Sequence, residues 1–297
     1  MTESPTLDTL FQEAVSTIDS GNIAALDSLL SAHPQLVRER LNTPREWLRS
    51  QVGNALDSFF QYPYLLWFVA EDPVRNGKLP SNIPQVTHAI LEALKREQVE
   101  SQQEQLDYAL QLVCFSWIAR ECDVQIGLID VLVDAGASMQ GCADNALVNG
   151  NFDAAAHLVK RGAPLTFTVA LCLKDWERAD SLAASVSSSE KQRGLVQAAL
   201  HGNAQAVARA LALGAEVNLP CPDLYSHASP LHHAVSAGSL ETVKVLIEAG
   251  ADTSTKDTAY QGTPLGWAHH CLADQKNDEG RERYGAIVRY LGQQTKT

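Results

Sequence analysis

VSAGSLETVKVLIEAGAD (235–252) carries two glycines, Gly238 and Gly250, twelve positions apart. HGNAQAVARALALGAE (201–216) keeps that interval from Gly202 to Gly214, and NGNFDAAAHLVKRGAP (149–164) keeps it from Gly150 to Gly162. Every closing glycine is followed by alanine. At Gly136-Ala137 the opening glycine is replaced by Val124, yet the apolar frame persists. Ile126, Ile129, Val131, Leu132, Val133 and Ala135 stand where Leu240, Val243, Val245, Leu246, Ile247 and Ala249 stand. SGNIAALDSLLSAHP (20–34) and residues 82–94 repeat the interval twice more. Six registrations at one spacing indicate a repeated structural unit.

Between the two markers, apolar residues such as Leu240, Val243, Leu246 and Ile247 recur at helical spacing. A glycine, or an Asn/Ser turn, precedes this helix. A glycine ends it, because the left-handed conformation after a helix costs glycine little. Ahead of each turn lies a second short apolar segment: LHHAVSA (231–237), GLVQAAL (194–200), TFTVALCL (166–173), ALQLVCFSWIA (109–119). The unit is therefore helix, tight turn, helix, connection. One such pair cannot bury its apolar face alone, whereas a stack of pairs can.

This pattern predicts an all-α chain of about eight stacked antiparallel helix pairs, near 7–32, 62–95, 106–136, 142–162, 166–187, 192–214, 230–250 and 263–293. The chain reads as a single array over 1–297, with divergent repeats over 1–189 and regular ones over 190–297. EDPVRNGKLPSNIP (71–84), rich in Pro and Gly, is expected to be an inserted loop. REWLRSQVGNALDSFF (45–60) is expected to add one helix, and SSSE (187–190) to lie in a loop. The aromatic residues Trp47, Phe59, Phe60, Tyr62, Tyr64, Trp67 and Phe68 cluster near the insertion and are assigned to core, with an interaction surface as the alternative.

Composition narrows the functional classes. The 297 residues carry 23 Lys+Arg against 35 Asp+Glu, a formal charge of −12. Nucleic-acid and anionic-membrane binding both need a basic footprint, which this balance argues against. The stretch SFFQYPYLLWFVA (58–70) is too short to span a bilayer, and MTESPTLDTL lacks the features of a signal peptide. Six scattered cysteines form no CxxC pair and are read as reduced thiols of a cytoplasmic protein. No GxSxG, HExxH, GxGxxG or GxxxxGK[ST] occurs.

Residues 229–257 resemble the ankyrin repeat, whose motif runs TPLH, helix, turn, helix, GAD, then an extended finger. Ser229-Pro230-Leu231-His232 supplies the first element and Gly250-Ala251-Asp252 the closing one. Thr263-Pro264-Leu265 starts the next copy, with Gly266 at the histidine's place. PYLLWFVA (63–70) looks like a degraded copy, with Trp67 at that place. The short form and eroded repeats look more like bacterial ankyrin proteins than long eukaryotic scaffolds. The resemblance implies an ankyrin-type solenoid, irregular over its N-terminal two thirds, that binds a protein partner through finger turns and a concave helix face. It implies that His232 is structural, its ring hydrogen-bonded to the Ser229 hydroxyl and to neighbouring backbone. Partner contacts carried over by position fall on Tyr225, Ser226, Ser236, Lys256, Tyr260 and His270. His233, next to His232 on the helix, is assigned to the same contact face.

The expected function is a non-catalytic protein-interaction module with no cofactor, whose unnamed protein partner has a basic surface complementing the −12 charge. A second reading is a dedicated inhibitor, immunity or effector protein acting on one enzyme. A third, from a different class, is a metal-dependent enzyme using the His/Cys residues of 232–271. Adjacent ligands on a helix diverge by about 100°, which disfavours it.

Overall fold

The computed structural model describes residues 5–294 and is helical throughout, with no β-strand among them. Cys221 and Leu224 form an isolated antiparallel bridge. The chain divides into two compact units, 1–164 and 165–297.

The N-terminal unit contains α1 (Leu7–Ser20), α2 (Ile23–Ala32), α3 (Gln35–Arg38) and α4 (Glu46–Val52), followed by two 3-10 helices, Gly53–Asp57 and Leu65–Ala70. Beyond them lie α5 (Ile83–Arg96), α6 (Gln102–Phe115), α7 (Trp117–Glu121), α8 (Gln125–Asp134), α9 (Cys142–Val148) and α10 (Phe152–Lys160). First members of successive pairs stack on one another: α1 on the 3-10 helix Leu65–Ala70, that helix on α6, and α6 on α9. Second members form a parallel row, α2 on α5, α5 on α8, and α8 on α10. Each layer buries what its neighbour leaves uncovered, and at about 1.5–3 kcal/mol per large apolar side chain the stack stabilises what a single pair cannot.

Several sequence expectations change here. The segment expected as one extra helix at 45–60 is α4 followed by a 3-10 turn, broken at Gly53, whose φ is +51°. The first member of the second pair is a 3-10 helix rather than an α-helix; all six of its side chains are buried. Short helices α3 and α7 carry too few residues to show a period. Of the aromatic cluster, Phe60, Tyr64, Trp67 and Phe68 are core, with Phe60 and Phe68 edge-to-face at 5.3 Å, while Phe59 and Tyr62 are exposed.

The insertion at 71–84 is pinned by a buried ion network. Arg75, whose side chain is 1% exposed, donates to both Asp19 carboxylate oxygens at 2.8 and 3.0 Å and lies 2.9 Å from Glu71 Oε2. Glu71 Oε1 in turn accepts the backbone N–H groups of Arg75, Asn76 and Gly77.

The C-terminal unit is more regular: α11 (Phe167–Cys172) with α12 (Trp176–Ala183), α13 (Ser188–Leu200) with α14 (Ala204–Ala212), α15 (Pro230–Ser236) with α16 (Leu240–Glu248), and α17 (Pro264–Ala273) with α18 (Asp278–Gln294). First helices α11, α13, α15 and α17 stack in order, and α14, α16 and α18 do the same behind them. With four pairs in each unit, the described residues form eight helix pairs, the all-α repeat architecture expected from the sequence. The core here is rich in alanine, with Ala170, Ala198, Ala199, Ala206, Ala210 and Ala234 all fully buried, which lets helix backbones approach closely. At Gly194 a Cβ would sit 2.8 Å from the Phe167 ring.

Caps decide the boundaries. Asn203 and Ser239 accept the N–H of Ala206 and Thr242 at 3.2 and 3.3 Å, so the turns preceding α14 and α16 are capped starts. Ser187 does the same for α13 through the Glu190 N–H, placing 188–190 on a helix and not in the expected loop. Gly214 and Gly250, at φ +97° and +90°, end the second helices in the left-handed conformation.

Candidate functional site

The repeat motif builds the site's floor. Ser229 caps α15, Pro230 fills its first position, and Leu231 is 1% exposed. His232 Nε2 lies 3.0 Å from the Gly262 carbonyl oxygen, which can only accept, so that nitrogen carries the proton. Nδ1 then accepts from the Ser229 hydroxyl at 2.8 Å and the Ser229 N–H at 3.3 Å. Burial pushes the ring's pKa below its ordinary value, keeping it neutral. With both nitrogens engaged inside the fold, His232 has no position open for a metal or substrate.

The next finger, 257–262, is organised by Asp257, which is 1% exposed. Its Oδ1 accepts the N–H of Ala259 (2.9 Å) and of Tyr260, and its Oδ2 those of Gly262 (2.8 Å) and of the Trp267 indole (2.9 Å). Burial pushes this carboxyl up, but the four donors outweigh it and hold the pKa at about 2. The Asp257 N–H closes the loop onto Gly262 O at 3.0 Å, and Thr258 N–H donates to His227 O at 2.8 Å. Neighbouring fingers are thus tied by backbone. Asn218 adds a second tie, donating to Gly250 O at 3.2 Å and accepting from Asp252 N–H at 2.8 Å.

On this frame sits a cluster of rings. His227 lies 6.0 Å from Trp267 in a stacked arrangement, 6.4 Å from Tyr260, 6.5 Å from Tyr225 and 6.2 Å from His233. Tyr225 is 49% exposed and Tyr260 78%. Among the other residues assigned as contacts, Ser226, Ser236, Lys256 and His270 are exposed. His270 Nε2 lies 3.4 Å from Asp274, the C-cap of the same helix, so it belongs to the α17 face and not to the ring cluster.

His233 is corrected. It is 3% exposed, packed against Tyr225 at 6.0 Å and Trp267 at 6.5 Å, and supports the surface rather than forming it. Burial, with the His227 and His232 rings adding to it, lowers its pKa to about 4. His227, Asp257, Trp267 and Asn218 were missed from sequence. The five-residue separation of Asp257 and Gly262 was the available signal, since aspartate closes short turns by accepting backbone N–H groups.

Among the described residues no group of three or more His, Cys, Asp or Glu is placed to hold a metal ion. Among them, too, no helix is long and apolar enough to cross a membrane.

Stacked helix pairs joined by hydrogen-bonded fingers define a helical-repeat protein. The model for ankyrin repeats (3 copies) matches residues 146–257 and 195–274, so that part of the chain is built of ankyrin repeats. Such repeats are protein–protein interaction modules. No curated protein matches the chain. Among solved structures, it is similar to the ankyrin repeat domain of Bcl-3, described as a unique member of the IkappaB protein family, at 19% identity and TM-score 0.36. That alignment covers 86% of this chain and 92% of the other. It is also similar to the human ASB11 ankyrin repeat domain, at 19% identity and TM-score 0.33, covering 62% and 88%.

Proposed function

We propose that the chain is a non-catalytic interaction module that contacts a protein partner through the fingers of its C-terminal repeats, with Tyr225 and Tyr260 as anchors. The observation that carries this is the exposure of both tyrosines on loops held by hydrogen bonds. Tyr260 rides on the turn closed by Asp257, and Tyr225 on the finger that His227 O ties to Thr258. Tyrosine buries much area with little rotamer entropy, and a pre-ordered loop lowers the cost of binding. Ser226 and Lys256 flank the anchors. Ser236 and His270 extend the contact onto the helices.

Charge favours a partner with a basic surface, because association across opposite potentials is steered and salt-sensitive. Residues 1–164 carry 11 Lys+Arg against 21 Asp+Glu, and residues 165–297 carry 12 against 14. Most of the excess therefore lies in the N-terminal unit.

Affinity capture from the native cell, with the partner identified by mass spectrometry, tests this reading. The partner retained by the wild type is expected to be lost when Tyr225 and Tyr260 are both changed to alanine, with the thermal midpoint unchanged. A partner retained equally by the double variant overturns the assignment of the fingers.

A further inference from the structure

The rings carried by the fingers are regularly spaced. Tyr225 and Tyr260 meet the His227 ring edge-to-face, at 81° and 88° and at centroid distances of 6.5 and 6.4 Å. Among the described residues no ring contact joins the two tyrosines, so His227 separates them. Half-buried Trp267 stacks on His227 at 29° and 6.0 Å, and Asp257 Oδ2 holds its indole N–H. Buried His233 supports the cluster from within, 6.2 Å from His227. Three rings therefore stand in succession on a fixed base.

Such a surface excludes two common kinds of partner segment. An added β-strand needs open main-chain donors and acceptors, and the second finger has turned its own inward. Thr258 N–H goes to His227 O, Asp257 N–H to Gly262 O, and the N–H groups of Ala259, Tyr260 and Gly262 to the Asp257 carboxylate. An amphipathic helix needs a continuous apolar groove, whereas these rings sit on separate turns around an imidazole. Charge narrows the choice further. Residues 165–297 carry 12 Lys+Arg against 14 Asp+Glu, so the complement of this ring surface is an uncharged segment. The basic part of a partner is drawn instead to residues 1–164, which carry 11 against 21.

We propose that Tyr225, His227 and Tyr260 take a proline-rich segment of the protein partner in the polyproline II conformation. That helix rises about 3.1 Å per residue, so alternate residues stand about 6 Å apart, the spacing of these rings. Proline has no N–H, so laying it on the rings strands no donor. Its fixed φ also means that little conformational entropy is lost on docking. Rows of aromatic side chains are the platform on which such segments dock. His227 sets the register: its carbonyl oxygen ties the two fingers through Thr258, and its ring spaces the two tyrosines. The assignment rests on the fingers being the contact surface and adds the class of segment they hold.

The test is titration of the full chain with fluorescein-labelled decaproline, read by anisotropy, beside a Gly-Ser peptide and an oligolysine peptide of the same length. Saturable decaproline binding is expected, weakened about tenfold by His227→Ala and by Tyr260→Ala. Trp117→Ala, which removes an exposed aromatic of the N-terminal unit, should change it less than about twofold. The Gly-Ser peptide should bind at least about tenfold more weakly, since it lacks the preformed helix. Thermal midpoints are measured alongside, and Tyr260, 78% exposed, keeps the test decisive if His227→Ala unfolds the chain. No decaproline binding, equal binding of the Gly-Ser peptide, or binding unchanged in both finger variants overturns the proposal. Oligolysine binding that falls with His227→Ala, in place of decaproline's, would assign the rings to a cation and overturn it too. If the Tyr225 and Tyr260 double variant loses the natural partner while decaproline fails to bind, the fingers stand as the contact surface and only the class of segment is wrong.

Discussion

The indole N–H of Trp267 donates to Asp257 Oδ2 at 2.9 Å, joining the first helix of the last repeat to the finger that precedes it. The same carboxylate holds three backbone N–H groups, so one buried side chain sets both the finger's shape and its seat on α17. Replacing Asp257 with alanine leaves those donors without an acceptor, each loss costing about 1–3 kcal/mol if the group stays buried. Asp257→Ala is therefore expected to lower stability by at least about 2 kcal/mol, read from the denaturant midpoint. Because the folded pKa lies below the unfolded one, the ionised carboxylate stabilises fully above about pH 4. That contribution is lost as pH falls towards about 2. Asp257→Asn should flatten the acid limb of the stability profile in that window.

His233 titrates in a different window. Its folded pKa, about 4, lies below the unfolded value near 6.5, so the unfolded chain binds the proton first. The neutral ring contributes fully above pH 6.5, and the contribution declines as pH falls from there to about 4. His233→Phe keeps the packing against Tyr225 and Trp267 while removing the titration. Wild type minus variant is expected to lose on the order of 2 kcal/mol between pH 7 and pH 4. A difference that does not change with pH would contradict the assigned burial.

Arg75 predicts the largest single loss in the N-terminal unit. It is 1% exposed and serves both Asp19 and Glu71, whose own side chain is fully buried. Removing one partner from a buried ionic network strands the others, at a cost of about 3–5 kcal/mol. Arg75→Ala is expected to release the 71–84 segment, detected as new protease cleavage there, together with a lower unfolding midpoint. Cleavage confined to other segments would contradict this role.

The regular repeats were legible because their signals are local. Each of Gly202, Gly214, Gly238 and Gly250 adopts positive φ, and each interval between the pairs holds a capped helix. Elements set by long-range packing left no such trace. The 3-10 helix at Leu65–Ala70 is buried on every side, so its residues show no polar phase from which to read a period. Tyr225 and Tyr260 were reached through the repeat's register. Their supports were not, because His227 meets Thr258 and His232 meets Gly262 some thirty residues away. Burial of His233 was missed for the same reason, since Trp267 covers it from the following repeat. The burial of Asp72 left no motif at all, because it is set by packing within the folded unit.

That burial makes a last prediction about stability. Asp72 is a carboxylate whose folded pKa, about 6, is raised by burial above its unfolded value. For an acid shifted upward, the penalty is present above the folded pKa and relieved as pH falls towards the unfolded one. Asp72→Asn removes the charge and breaks no bond, so it should stabilise the isolated chain at pH 7 by on the order of 1–2 kcal/mol and leave it unchanged near pH 4. Thermal unfolding at the two pH values reads both outcomes. A variant less stable than wild type at pH 7 would mean that a donor within the fold offsets the cost of burying the carboxylate.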